Sequence, residues 1–248
     1  MNLFKLLCLL VAVVSCSTSV FGDAILFQDD FNAGWDSAKW SAVGVVHSDP
    51  EPGCNLAISA GVLESRFDGA GAPQGAFARS IEIPLPSGWT SVVLTGQWAY
   101  PISVYGEMLV SLWPDGDRDS KSVAVSYYCW GGPAARTSYS VGGNTFQAPI
   151  LSRSLPLNLT DFRLTVTPTQ WLAEEKSGES WETLGVLSTD VMAGASSIQF
   201  QIGGWEYSQT GIQVVKYDNI QLTVIPEPAS LGLLMLGGLG LLRRRTNG

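Results

Sequence analysis

Glu107-Met108-Leu109-Val110-Ser111-Leu112-Trp113 is followed, across Pro114-Asp115-Gly116-Asp117-Arg118-Asp119-Ser120, by Lys121-Ser122-Val123-Ala124-Val125-Ser126-Tyr127-Tyr128-Cys129-Trp130. The first run puts Met108, Val110 and Leu112 on one face, opposite Glu107, Leu109, Ser111 and Trp113. In the second, Val123, Val125 and Tyr127 stand against Ala124, Ser126, Tyr128 and Trp130. This two-residue period is that of strands with one buried face, and the Pro, Asp and Gly between them are turn formers. Residues 198–207 repeat the contrast, with Phe200 and Ile202 against Gln199, Gln201, Trp205 and Tyr207. Placed in one sheet, the three runs make an apolar core face and a second face of polar and aromatic side chains.

Working outward, short segments rich in Val, Ile, Thr, Tyr, Phe and Trp recur at 24–27, 56–59, 62–67, 77–83, 92–98, 162–167, 170–174, 181–184 and 213–224. Gly, Pro, Ser and Asp clusters separate them. Helical periodicity is confined to the two apolar termini, apart from one turn allowed at 189–195. No fixed-period repeat points to a propeller or solenoid. The expected fold is all-β, an antiparallel jelly-roll β-sandwich over 23–224, between a signal-peptide helix at 1–22 and a short transmembrane helix within 225–248.

The N-terminus has Lys5, then the apolar Leu6-Leu7-Cys8-Leu9-Leu10-Val11-Ala12-Val13-Val14, then small and polar residues to Gly22, the layout of a cleaved secretory signal. Cleavage after Gly22 is expected. The alternative is Val13-Val14-Ser15-Cys16, which fits a lipoprotein signal with an acylated Cys16. In the first case Cys54 and Cys129 are the cysteines that remain, and an oxidising compartment favours their pairing. Two buried free thiols are the other reading.

The C-terminus reads Pro226-Glu227-Pro228, an uncharged apolar run over 229–242, then Arg243-Arg244-Arg245. Arginines hold the end of such a run on the cytoplasmic side, so the upstream chain lies outside. As a helix the run reaches only ~21 Å at ~1.5 Å per residue, short of a hydrocarbon core of roughly 30 Å. Gly232, Gly237, Gly238 and Gly240 weaken it further. A segment held briefly and then processed fits better than a permanent anchor. The order of triplet, short apolar run and basic end resembles the PEP-CTERM sorting signal of Gram-negative bacteria. That resemblance implies exosortase as the processing partner, Pro226, Glu227 and Pro228 as its recognition residues, and delivery to the cell surface or extracellular matrix.

The chain's net charge is −8. Lys5 and the three terminal arginines take four of its 14 basic residues, leaving ten against 22 acidic ones in the exported part. Such acidity repels nucleic acid and anionic lipid. A single histidine, His47, excludes a multi-histidine metal site.

Gln28-Asp29-Asp30-Phe31 with Lys39-Trp40, the Ser59-Ala60-Gly61-Val62-Leu63 hairpin, and Tyr217-Asp218-Asn219-Ile220 resemble concanavalin A-like lectin and glucanase domains. The resemblance implies carbohydrate binding on a concave face, often with calcium. Glucanases of that fold carry Glu-x-Asp-x-x-Glu on a strand, because glycoside hydrolysis needs two carboxyl groups about 5 to 9 Å apart. The corresponding run from Glu107 supplies one carboxylate, and no hydrolase or zinc motif occurs elsewhere. The expectation is therefore a non-enzymatic surface protein with a structural or adhesive role. A lectin-like module that binds exopolysaccharide or another glycan is the alternative, and a glycosidase the weakest reading. Trp113, Tyr128, Trp130, Trp205 and Tyr207 are the candidate sugar-stacking residues. Asp115, Asp117 and Asp119 have the alternate spacing of a calcium loop, but Ser120 stands where the loop needs Gly and Ser126 where it needs Glu, so a polar hairpin turn is the favoured reading. No other cofactor is expected.

Overall fold

The structure is a computed structural model that describes residues 23–44, 55–68, 74–102, 106–128, 134–142, 144–206 and 212–226. They form two antiparallel sheets and no helix. The eight-stranded sheet holds β1 (Ala24–Asp29), β3 (Asn55–Ser59), β4 (Val62–Asp68), β7 (Trp89–Ile102), β13 (Thr160–Val166), β14 (Gln170–Ser177), β15 (Ser180–Ser188) and β17 (Ile212–Pro226). Its order is β15-β14-β13-β7-β17-β4-β3, with β1 also paired to β17. The nine-stranded sheet holds β2 (Trp40–Gly44), β5 (Gln74–Ser80), β6 (Ile83–Pro84), β8 (Gly106–Pro114), β9 (Lys121–Tyr128), β10 (Ala134–Val141), β11 (Asn144–Gln147), β12 (Leu151–Ser152) and β16 (Ser197–Glu206). It runs β11-β10-β9-β8-β16-β5-β2, with β12 on β10 and β6 on β16. This is the sandwich the alternation predicts.

The expected inward residues all pack between the sheets. Met108, Val110, Leu112, Val123, Val125, Tyr127, Phe200 and Ile202 are fully buried in one core with Leu94, Phe162, Leu164 and Leu222 from the opposite sheet. Each such side chain contributes roughly 1.5–3 kcal/mol of burial. An aspartate at Val110 would strand a charge at the centre of that core.

Local phrases in the sequence have physical causes. Asp29 is buried, and its carboxylate accepts from the Trp40 indole N–H at 2.8 Å and the Phe31 backbone N–H at 2.9 Å. That ties β1 to β2 across sheets and sets Phe27, Phe31, Trp40 and Phe200 edge to face or tilted, with centroids 5.0 to 5.7 Å apart. The β3–β4 turn places Ala60 at φ 52° and Gly61 at φ 77°, both left-handed, as a two-residue type I′ hairpin requires.

Some strands escape the alternation. β2, β10, β11 and β12 are short or polar and owe their conformation to pairing: β10 matches β9 over eight residues, from Ala134 opposite Tyr128 to Val141 opposite Lys121. The segment expected at 77–83 lies earlier, as β5, and Ile81 leaves the ladder to donate to the Lys39 carbonyl. Around 189–195 the chain makes tight turns that bury Val191 and Met192 rather than a helix. The signal peptide with Cys16, the apolar run 229–242, His47, and both Cys54 and Cys129 lie outside the described residues. Among those described, no helix is long and apolar enough to cross a membrane.

The two ends of the domain meet. Ala24 pairs with Val224, and β17 continues past the expected boundary to Pro226, which lies opposite Trp89 of β7. The first residue of the Pro-Glu-Pro triplet is thus the last residue of a central strand. Glu227, Pro228 and the three arginines follow outside the described residues.

Candidate functional site

The outer face of the nine-stranded sheet collects the polar and aromatic side chains that alternation sends away from the core. Register arranges them in rows. One row runs Arg79, Gln201, Ser111, Ala124, Ser138 across β5, β16, β8, β9 and β10. The next runs Phe77, Gly203, Leu109, Ser126, Arg136, and a third runs Gly75, Trp205, Glu107, Tyr128, Ala134. Short side chains (Ser111, Ala124, Ser126, Gly203) occupy the middle. Arg79 and Trp113 border them at one end of β8, and Trp205, Tyr128 and Arg136 at the other.

Glu107 is the centre of the second group. It is 4 % exposed, and its carboxylate accepts from the Trp205 indole N–H at 2.8 Å and from the Arg136 guanidinium. The Arg136 guanidinium also lies over the Tyr128 ring, 5.4 Å from its centroid. Trp113, only 1 % exposed, donates its indole N–H to Gln199 at 3.2 Å and lies beneath the Arg79 guanidinium at 5.5 Å. Burial, and then the like charge of Arg118, push the Arg79 pKa down, with Asp119 opposing. Arginine starts so high that it stays charged.

Three buried polar atoms of this face have no hydrogen-bond partner among the described residues: Gln201 Oε1, Arg79 Nε and Arg136 Nε. Gln201 is 2 % exposed. Buried donors and acceptors are almost always satisfied in native proteins, by protein or by ordered water, so these atoms mark polar positions on the face that protein side chains do not fill.

The structure sorts the residues expected from sequence. Trp205, Tyr128 and Glu107 come together in one row. Trp113 belongs to the same face but at its other end, and Trp130 and Tyr207 lie outside the described residues. The aspartates do not assemble a metal site: among the described residues no three acidic, histidine or cysteine side chains could hold an ion. Asp115 Oδ1 instead accepts from the backbone N–H groups of Ser196 and Ser197 and from the Ser196 hydroxyl, at 2.8 to 3.0 Å. Burial works to raise its pKa, but these hydrogen bonds outweigh it and hold the carboxyl below the ordinary aspartate range. Asp115 at φ 47° and Gly116 at φ 71° make the bland hairpin turn. Arg79 and Arg136 are the residues of this face that sequence reasoning misses, while it places Gln201 on the polar face without a role. The arginines' signal is a charged residue on the outward phase of a strand, weakest in Ala134–Val141.

Comparison with known proteins separates tail from domain. Residues 224–245 match the PEP-CTERM protein-sorting motif. The chain carries a PEP-CTERM sorting signal. It is therefore an exported protein that exosortase processes, held transiently in the membrane and sorted to the cell surface. No curated protein matches the chain. Solved structures do. The CBM2 module of the evolved Dit of Lactobacillus casei BL23 phage J-1 aligns with TM-score 0.63 at 10% identity, over 84% of this chain and 98% of its own. The immunostimulatory antigen and pseudo-β-1,3-glucanase of Mycobacterium tuberculosis gives 0.61 at 12%, over 82% and 99%. A non-specific endo-β-1,3(4)-glucanase of family GH16 gives 0.60 at 9%, over 81% and 91%. At such identities the likeness is one of fold, the concanavalin A-like sandwich of the glucanases.

These neighbours correct one expectation. The absence of a paired carboxylate in the run from Glu107 had excluded an enzyme. Glycoside hydrolases are prominent among the structures the PEP-CTERM protein resembles, so the exclusion falls. The reason is physical: the expectation tested one strand for a pair of carboxylates, whereas carboxyl groups in a sandwich can also converge from strands distant in sequence, which no local spacing reveals.

Proposed function

We propose that the exported domain adheres to glycan through the outer face of its nine-stranded sheet. The observation that carries this reading is the row Trp205, Glu107, Tyr128, with Gln201 two rows along the same face: two part-exposed aromatic rings, a buried carboxylate and an amide share one surface. Sugars present apolar ring faces that stack on Trp and Tyr, and hydroxyls that fill such polar positions. The fold neighbours, a carbohydrate-binding module and glucanases by name, support the same ligand class.

The test is a glycan array probed with the wild type and with Trp205→Ala and Tyr128→Ala. Binding that both variants lose supports the reading; full retention in both sinks it. The bound glycans are then incubated with wild type and Glu107→Gln and assayed for new reducing ends. Cleavage confined to the wild type would add a processing role for Glu107 on the same surface.

A further inference from the structure

We propose that the glycan this face takes is a polyanion, bearing carboxylate or sulfate groups at intervals along its length. The inference rests on the glycan-binding reading of the same surface.

The protein as a whole is acidic, at −8. Its outer sheet face is locally the reverse. Arg79 and Arg136 rise from it, Arg118 and Asp119 offset each other near Arg79, and Glu107 is the carboxylate among its described rows. Glu107 is already matched by Arg136. Arg79 has no ion-pair partner among the described residues, and Asp119 acts on it only from a distance.

The two guanidiniums are held alike. Each lies over an aromatic ring, Arg79 on Trp113 and Arg136 on Tyr128, which fixes the plane of the fork. Each keeps a buried Nε–H that donates to nothing among the described residues. Guanidinium groups pair with planar or tetrahedral oxyanions through two parallel N–H···O bonds. A neutral sugar hydroxyl could take one such donor; an anionic oxygen uses the edge fully and meets the unbalanced charge. The Arg79 guanidinium lies over Trp113 and that of Arg136 meets Glu107, positions six residues apart on β8, which is on the order of 20 Å at the rise of a strand. One small anion cannot span that distance. A polymer with repeated charges can.

The full-length chain in detergent micelles is titrated with polygalacturonate, a sulfated galactan and neutral laminarin. The expected result is that at least one polyanion binds roughly tenfold or more tighter than laminarin, since a charge-assisted pair is worth about that factor. Affinity should fall as salt rises, and Arg79→Gln should lose several-fold of it at an unchanged melting temperature. Preference for polygalacturonate assigns carboxylate and preference for the galactan assigns sulfate, and either supports the inference. Arg136→Gln also frees Glu107, so Arg79→Gln is the decisive variant. Laminarin bound as tightly as both polyanions would overturn the polyanion but leave the glycan-binding reading standing. Binding to none of the three, by protein with a normal melting transition, would overturn both. Polyanion binding unchanged in Arg79→Gln would place the ligand elsewhere.

Discussion

Glu107 and Glu175 are built from the same parts and do different work. Each is a nearly buried glutamate, 4 % and 5 % exposed, that accepts from a tryptophan indole and meets an arginine. Glu175 points between the sheets, where Trp98 donates at 2.7 Å, Tyr127 at 2.6 Å, and Arg153 closes the rim while pairing with Glu182. Both its oxygens have partners supplied by the fold. Trp98, Tyr127 and Phe162 pack around it with centroids 4.6 to 5.6 Å apart. Burial, and then the Glu175 charge, push the Tyr127 phenol far above its ordinary pKa, so it remains a donor. Around Glu107 both oxygens are likewise matched, by Arg136 and Trp205, but the cluster lies on the outward face and Arg136 keeps an unsatisfied Nε there. A glutamate–tryptophan–arginine trio is thus a latch or a site according to the face of the sheet that carries it.

The comparison breaks most sharply at the latch. Glu175→Ala should leave Trp98, Tyr127 and Arg153 without their acceptor and cost about 3–5 kcal/mol, as loss of one partner of a buried charge pair does. Chemical denaturation measures it, and a loss under 1 kcal/mol would erase the distinction. Tyr127→Phe removes one donor to the carboxylate and should cost about 1.5–3 kcal/mol in the same assay. Glu107→Gln should invert the pattern, with stability changed by about 1 kcal/mol, the scale of one ordinary hydrogen bond, while glycan affinity falls at least several-fold. Calorimetric titration beside denaturation separates the two effects. The smallest effect belongs to Asp115, which stands apart from both clusters. Its carboxyl is held below the ordinary value, so its contribution is complete above the unfolded pKa of ~3.9 and disappears as pH falls through the lower folded value. Asp115→Asn should therefore cost no more than about 1 kcal/mol at pH 6, because the residue is exposed and solvent screens it. The difference from wild type should close as pH falls through the lowered folded pKa, beneath the ordinary aspartate range, as thermal melts across pH would show.

Latch and site were unequally legible in the sequence. Period-two alternation is a local signal, and it separated Met108, Val110 and Leu112 from Glu107, Ser111 and Trp113 without any knowledge of partners. It could not tell that Glu107 would meet Arg136, 29 residues on, or Trp205, 98 residues on. Those meetings depend on strand order, which no spacing encodes. Glu175 lies 77 residues from Trp98 and 48 from Tyr127, and it drew no notice because a charged residue in an otherwise amphipathic strand reads as surface. The same limit explains the mistaken exclusion of an enzyme: it tested one strand for a pair of carboxylates that a sheet could gather from several. β10 was missed for a related reason. Ala134-Ala135-Arg136-Thr137-Ser138-Tyr139-Ser140-Val141 has little apolar contrast, and the ladder to β9 makes it a strand.

β17 lies between β7 on one side and β4 and β1 on the other, and its last residue begins the Pro-Glu-Pro triplet. During export the N-terminal strands emerge first, yet their sheet has a gap at its centre until Ile212–Pro226 arrives. Pairing of Ala24 with Val224 closes a loop that spans almost the whole domain, the kind of distant contact that forms late and slowly. The segment that completes the sheet is drawn out of the secretion channel just ahead of the sorting tail. Maturation of the domain and its presentation for processing are thereby coupled in time: a chain stalled before residue 212 has neither a closed sheet nor a signal to cut.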